Sequence, residues 1–367
     1  MKEPNLDIVP LEKWIVFEQK PLIISGPCSA ESREQVLATG KALAKTGVVN
    51  VFRAGLWKPR TRPESFEGVG SKGIAWMKTV KKETGLLTCV EVATPDHVEE
   101  CVMNGIDILW IGARTTVNPF SVQELADALK GYDIPVMVKN PINPDLKLWL
   151  GALERINHAG ISKMIAIHRG FYSYDSAPYR NAPIWEIPIE LKRLCPDLPL
   201  ICDPSHITGN TLLLEEICQK ALDLEMDGLM IESHINPKSA LSDKNQQITP
   251  AQLNKLVSQL VIRSHATDDH EFQNTLEKLR FEINKIDAEL IQLLSKRMEI
   301  VDQIGHYKKE NNITILQIRR WNNIVKQSME LGEKLGLGKE YLMKLLRTIH
   351  EESIQKQTEI YNKKNKK

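Results

Sequence analysis

Cys28 in GPCS, His206 in DPSH, Glu232 in IESH and Asp243 in ALSD offer one sulfur, one ring nitrogen and carboxylate oxygens. That mixed donor set suits a divalent transition metal such as Mn, Fe, Co or Zn. A second group is cationic: Arg53, Lys58, Arg60, Arg114, Lys139 and Arg169. Gathered without counter-ions, these charges would repel one another. They make sense around polyanionic reactants, and guanidinium suits bidentate phosphate contacts. Metal and phosphates together point to an electrophile polarised by the metal, with phosphorylated reactants held in orientation. Each residue alone has an ordinary explanation: a buried thiol, a hydrogen-bonded histidine, a surface ion pair. Their common position along the chain is what those explanations leave uncovered.

That position is the end of successive apolar runs. The runs are 22–26, 49–55, 86–93, 108–114, 135–140, 163–170, 198–206 and 227–234. Near-continuous hydrophobic runs of this length suit strands buried on both faces, as in a parallel sheet. Segments between them, such as SVQELADALK and NTLLLEEICQKAL, carry helical periodicity. Eight strand–helix units in about 240 residues predict an α/β fold of the closed (β/α)₈ TIM-barrel type. A doubly wound open sheet is the alternative, and the absence of a GxGxxG turn argues against it. Functional groups of such barrels sit at the C-terminal ends of strands. Read that way, Cys28 follows the first run, and Arg53 ends the second with Lys58, Arg60 and Thr61 close behind in KPRT. Glu91, Arg114, Lys139, His168 with Arg169, Asp203 with His206, and Glu232 end the others, and Asp243 lies in the last loop.

The 367 residues suggest two domains. We expect a barrel over 1–262, a polar linker RSHATDDH at 263–270 and an all-helical domain over 271–367. The net charge of +1 provides no whole-protein field for nucleic acid or anionic membrane. No apolar run approaches the roughly 20 residues a membrane span needs, and the first residues carry no apolar signal core. Six cysteines without a CxxC pair fit reduced thiols in a cytoplasmic enzyme.

After Glu271 the apolar positions fall in heptads. One row is Leu276, Ile283, Leu290 and Ile304; the other is Leu279, Ile286, Leu293, Ile300 and Tyr307. A helix of about 60 Å, at 1.5 Å per residue, cannot bury that seam in so small a domain. It needs a second chain. Arg297 falls on the first row, where a charge is costly unless paired. It serves either to fix the register of a dimer or to bind an anion. Lys308 lies three turns on and shares its face, whereas Arg280 points about 100° away. If all three serve one ligand, Arg280 must come from the partner chain. Two further helical stretches are expected, at about 314–333 and 338–360.

GPCS, FRAGLWKPRT, GAR, DPSH and IES…ALSD resemble the 3-deoxy-D-arabino-heptulosonate 7-phosphate (DAHP) synthases over about residues 10–262. The barrel-only length is similar to the subfamily without a large N-terminal extension. The resemblance implies that Cys28, His206, Glu232 and Asp243 bind the metal, with Mn favoured. It gives Arg53, Lys58, Arg114, Lys139 and Arg169 to phosphoenolpyruvate, with Glu91 beside that site. Arg60, Thr61 and Thr115 fall to erythrose 4-phosphate, and Lys58 is also a proton carrier. The implied reaction opens the shikimate pathway. Two departures stand out: KNP after the fifth run, where relatives have KRG or KNG, and His168, where relatives often carry a carboxylate.

LRFEINKIDAELIQLLSKRMEIVDQIGHYK resembles the first helix of all-helical chorismate mutases, with a likeness over about 272–360. This implies an intertwined homodimer that converts chorismate to prephenate without metal or nucleophile. Arg297, Lys308, Arg320, Ser353 and Gln357 would bind substrate, joined by Arg280 of the partner subunit. Gln317 and Trp321 stand where relatives carry acidic residues for the substrate hydroxyl, which implies weaker catalysis or different hydroxyl contacts. Two roles for this domain follow: a second enzyme, or a regulatory dimerisation module with little catalysis. Prephenate or chorismate bound there is the expected inhibitor of the barrel. A different metal-dependent aldolase is the third possibility for the barrel itself.

Overall fold

A computed structural model describes residues 4–15, 21–58, 66–264 and 268–363. The chain divides into two compact units, Met1–Arg263 and Ser264–Lys367.

The first unit holds strands β1 (Leu22–Gly26), β2 (Val51–Ala54), β3 (Leu87–Val92), β4 (Ile108–Ile111), β5 (Val136–Lys139), β6 (Met164–His168), β7 (Leu200–Cys202) and β8 (Gly228–Glu232). They pair in chain order as a closed parallel barrel, which β1 completes against β8 from Leu22↔Gly228 to Gly26↔Glu232. The expected (β/α)₈ barrel is therefore present. Its helices are α1 (Arg33–Ala44), α2 (Lys72–Thr84), α3 (Pro95–Met103), α4 (Ala113–Thr116), α5 (Pro119–Leu129), α6 (Leu146–His158), α7 (Glu186–Leu194), α8 (Pro204–Thr208), α9 (Leu214–Asp223) and α10 (Pro250–Gln259).

Successive strand residues face opposite sides. Ile24, Trp110, Met137, Ile165, Ile201 and Met230 fill the interior, while Ile23, Phe52, Val90, Leu109 and Leu229 pack outward with the helices. Leu11 and Ile15 join the interior cluster beside Leu22, Val51 and Ile108, the first residues of their strands. The segment before β1 thus closes the N-terminal end of the barrel and leaves chemistry to the other end.

Two segments expected as strand ends are instead helical. GARTT forms α4, where the Thr115 and Thr116 amides donate to the Gly112 carbonyl at 3.0 Å. DPSH forms α8, because Pro204 suits a first helical turn and the Asp203 side chain caps the His206 amide. The helix expected from Asn210 starts later, at Leu214.

The second unit consists of α11 (His270–Glu310), α12 (Ile318–Lys334) and α13 (Lys339–Asn362), with α13 packed on both others. Asp269 caps α11 by accepting from the Glu271 and Phe272 amides. Among its described residues the buried apolar side chains are Val301, Leu342 and Ile360. The heptad residues remain open in the single chain: Ile283 is 56% exposed, Leu293 65% and Tyr307 75%. Among the described residues no helix is long and apolar enough to cross a membrane.

Candidate active sites

At the C-terminal end of the barrel, donor atoms of Cys28, Glu232 and Asp243 lie within 4.8 Å of one another. The β1–β8 register sets Gly26 against Glu232, which brings Cys28 and Glu232 together. Asp243 is carried in by the loop after β8, with a left-handed backbone at φ 44° that an aspartate tolerates better than most residues. Side chains fasten that loop to the one after β1. Gln247 accepts from the Cys28 amide at 3.0 Å, Glu31 accepts from the Leu241 amide at 2.8 Å, and the Ser29 and Ser242 hydroxyls hydrogen-bond.

His206 completes the expected set. Its Nδ1 is 3.0 Å from Asp203 Oδ1, and its Nε2 is 3.8 Å from Glu232 Oε1. A carboxylate holding one ring nitrogen so that the other faces a donor cluster is the usual arrangement around a metal-binding histidine. Glu232 Oε2 accepts from Gln246 Nε2 at 2.8 Å, but among the described residues buried Oε1 accepts no hydrogen bond, with Arg53 Nη2 3.4 Å away. Such an oxygen is costly to bury unless a cation takes it. Burial, then Glu232, pushes the Cys28 thiol up to about 12, and its Sγ donates to Asp243 Oδ2 at 3.2 Å. Ligation of a cation would displace that proton. One sulfur, one nitrogen and two carboxylates fit a divalent transition ion.

Above the cluster opens a cavity of about 360 Å³, walled by Lys58, Glu91, Arg114, Lys139, Arg169 and Arg180 with His206 and Asp243. Lys58 Nζ donates to the Cys28 carbonyl at 3.0 Å. Burial opposes its charge, but the negative charge nearby, Glu91 and Glu232 included, outweighs burial and keeps the ammonium protonated. Lys139 is buried and paired with Asp203 at 2.6 Å. Arg169 donates to Asn181 Oδ1 at 2.8 Å; burial lowers its pKa to about 10, which leaves it charged. Glu91 occupies space that only a glycine at 112 leaves, since a Cβ there would fall 2.1 Å from Glu91 Oε1.

Three expected residues lie elsewhere. Arg53, expected at the mouth, sits beneath the cluster: it is 1% exposed, 4.7 Å over the Trp110 ring, and donates to the Cys28 carbonyl at 3.2 Å. Its strand position points it into the barrel interior. Thr115 is buried within α4 and does not line the cavity. His168 is buried between Phe171 and Trp185, with ring centroids 5.7 and 5.2 Å away. Burial and then Arg169 lower its pKa to about 3, so the imidazole is neutral. Arg60 and Thr61 fall outside the described residues. Arg180, Asn181, Tyr172 and Gln246 escaped the sequence reading. The available signal for three of them was loop length: residues 169–185 join β6 to α7, and long loops on this face of a barrel commonly carry function.

In the helical unit Arg297 Nη1 donates to Ser353 Oγ at 2.7 Å. Gln357 Nε2 donates to the Ser353 carbonyl at 3.1 Å, while buried Oε1 has no hydrogen-bond partner among the described residues. Burial lowers the pKa of both Arg297 and Lys308. Lys308 Nζ donates to the Ile315 carbonyl at 2.6 Å and borders a hollow lined by Ile304, Tyr307 and Gln317. Trp321 stacks on His350, with centroids 4.0 Å apart. Arg320 and Arg280 are exposed, and Arg280 pairs with Glu277 of the same helix at 2.9 Å.

Fold and site together define a (β/α)₈ enzyme for anionic substrates joined to an all-helical domain. The chain belongs to the DAHP synthetase I family, whose family model matches residues 14–267. The model for chorismate mutase type II matches residues 279–358. Over 238 residues the chain is 32% identical to a phospho-2-dehydro-3-deoxyheptonate aldolase of Thermotoga maritima, covering 65% of this chain and 68% of that one. The crystal structure of the DAHP synthase of Thermotoga maritima superposes with a TM-score of 0.58 at 29% identity, over 65% of this chain and 67% of that chain. The helical part is 37% identical over 91 residues to a bifunctional chorismate mutase/prephenate dehydratase of Buchnera aphidicola, covering 25% of this chain and 24% of that relative. The chain therefore spans about a quarter of that relative's length. It carries a DAHP synthase domain and a chorismate mutase domain.

Proposed function

We propose that the barrel condenses phosphoenolpyruvate with erythrose 4-phosphate to DAHP, and that the helical domain rearranges chorismate to prephenate. The observation that carries the first reading is the cationic cavity opening directly above the Cys28, Glu232 and Asp243 cluster. Cys28, His206, Glu232 and Asp243 would hold a divalent cation (Mn, Fe, Co or Zn, with Mn favoured), whose chemistry is to polarise the aldehyde. Arg114, Lys139 and Arg169 hold the carboxylate and phosphate of phosphoenolpyruvate, and Arg53 supports the floor through Glu232 and Cys28. Arg60 and Thr61 serve erythrose 4-phosphate, and Glu91 borders both reactants. The phosphoenolpyruvate methylene carbon attacks the aldehyde carbon, and Lys58 gives a proton to the aldehyde oxygen. Water adds to the cationic carbon and loses a proton, and the carbon–oxygen bond to phosphate breaks to release inorganic phosphate.

In the helical domain Arg297, Lys308 and Arg320 hold the carboxylates and ether oxygen, with Ser353 and Gln357 alongside. Arg280 comes from a second copy, for which the exposed heptad face of α11 is the docking surface; the assembly is a homodimer. Six free, buried cysteines support a cytoplasmic location. Prephenate, or chorismate, bound in this domain inhibits the barrel, because both reactions belong to one pathway.

Chelation should abolish DAHP formation and leave chorismate conversion unchanged, and Mn²⁺ should restore the first activity. Full DAHP synthesis in metal-free protein would sink the metal assignment. Prephenate should slow DAHP synthesis by the full chain but not by residues 1–263. Equal insensitivity of both would dispose of the regulatory reading.

A further inference from the structure

We infer that Arg180 positions the cation ligands, directly through Asp243 and through Gln246 on Glu232. The inference rests on the reading that this cluster binds a cation. Arg180 Nη1 donates to Asp243 Oδ1 at 3.0 Å and to Gln246 Oε1 at 2.7 Å. Gln246 is 1% exposed and gives its Nε2 to Glu232 Oε2 at 2.8 Å. Its amide orientation is thereby set from both ends: oxygen to the guanidinium, nitrogen to the carboxylate. One oxygen of each carboxylate is tied into this chain. The other turns to the cluster: Asp243 Oδ2 toward Cys28 Sγ at 3.2 Å, and Glu232 Oε1 toward His206 Nε2 at 3.8 Å.

The neighbouring residue extends the arrangement. Asn181 donates to the His206 carbonyl at 2.6 Å and accepts from Arg169 Nη1 at 2.8 Å. The Arg180 and Asn181 amides both donate to the Ile207 carbonyl, at 2.9 and 3.1 Å. The Arg180 stem lies where only a glycine leaves room: Gly209 has φ +67°, and a Cβ there would fall 2.5 Å from Arg180 Cβ. Two consecutive residues therefore reach three of the four proposed ligands and one cation of the cavity wall.

The test is Mn²⁺ affinity, read on the full chain by calorimetry and by electron paramagnetic resonance of the free ion. Removing a group that orients metal ligands typically weakens binding by about 10- to 100-fold. Arg180→Ala and Gln246→Ala should each lie in that range. The double variant should be little weaker than the poorer single one, because both act through one chain of bonds. Arg180→Lys keeps the charge without the fork and should fall between Arg180→Ala and the unaltered protein. Should Gln246→Ala fail to fold, the two Arg180 variants decide, since that side chain is 43% exposed. Asp243→Ala separates the two levels. If it binds Mn²⁺ as the unaltered protein does, the cluster is not the site and the inference falls with it. If Asp243→Ala loses Mn²⁺ while Arg180→Ala retains full affinity, the site stands and only the positioning role is overturned.

Discussion

The barrel unit and the helical unit solve the same problem, holding several cations close together, in opposite ways. In the barrel three of the cations are met by carboxylates within one chain: Lys139 by Asp203, Arg53 by Glu232, Arg180 by Asp243. The donors come from near the two ends of the barrel's own sequence, yet closure of β1 on β8 brings them together. In the helical unit Arg297 has a hydroxyl for its partner, Lys308 a backbone carbonyl, and Arg280 a glutamate on its own helix. Its long apolar face stays open. A site made within a closed barrel gathers its groups from one chain, whereas the site proposed along the 41-residue helix calls for a second copy.

The largest expected effect separates the two sites. Cys28→Ala should lower DAHP formation by about 10³-fold, the scale of several kcal/mol of lost metal stabilisation, with prephenate formation unchanged. Arg297→Ala should lower prephenate formation by about 10²-fold, with DAHP formation unchanged. Each is read in parallel assays on one preparation. Loss of both activities in either variant would break the picture of two separate sites.

A smaller effect tests the need for a second copy. Leu290→Glu places a charge in the heptad row, and an uncompensated buried charge costs about 3–5 kcal/mol. The dimer dissociation constant, read by sedimentation, should rise by about 10²-fold or more. Prephenate formation should then depend on protein concentration, and DAHP formation should not. A monomeric variant with full mutase activity would show that Arg280 serves no site in a second copy.

The same contrast explains what was legible in the sequence. Cys28, Glu91, Lys139 and Glu232 were readable because each stands at the end of a buried run and barrel closure dictates where those ends meet. Arg114 and His206 were found by the same logic, although both lie in short helices after the strand. Arg53 was read as a mouth residue and lies in the floor, because the side a strand residue faces depends on register that a continuous apolar run does not reveal. Arg180 and Gln246 were illegible for another reason. They sit in loops with no periodicity, and their roles appear only once those loops are folded over the mouth. On α11 the heptads were plain, but the stacking of Trp321 on His350 depends on how α12 meets α13.

The last effect concerns stability, and again sets the two units apart. His168 is fully buried in the barrel, with its pKa lowered from 6.5 to about 3 by burial and by Arg169. Above about pH 6.5 the imidazole is neutral whether the chain is folded or not, so pH has no purchase on it. Between about pH 6.5 and pH 3 the unfolded chain takes up a proton that the native barrel refuses, and stability falls as pH falls. Below about pH 3 both states are protonated and the loss levels off, at as much as about 5 kcal/mol. His350 is shifted in the same direction by burial, Arg297 and Lys308, but it is only part-buried, so the helical unit should show a shallower slope. His168→Gln carries no titrating group. Denaturant unfolding of the barrel at a series of pH values should therefore lose this slope in the variant, whatever its stability at neutral pH. An unchanged slope would mean that the barrel's acid sensitivity arises from other groups and that His168 does not set it.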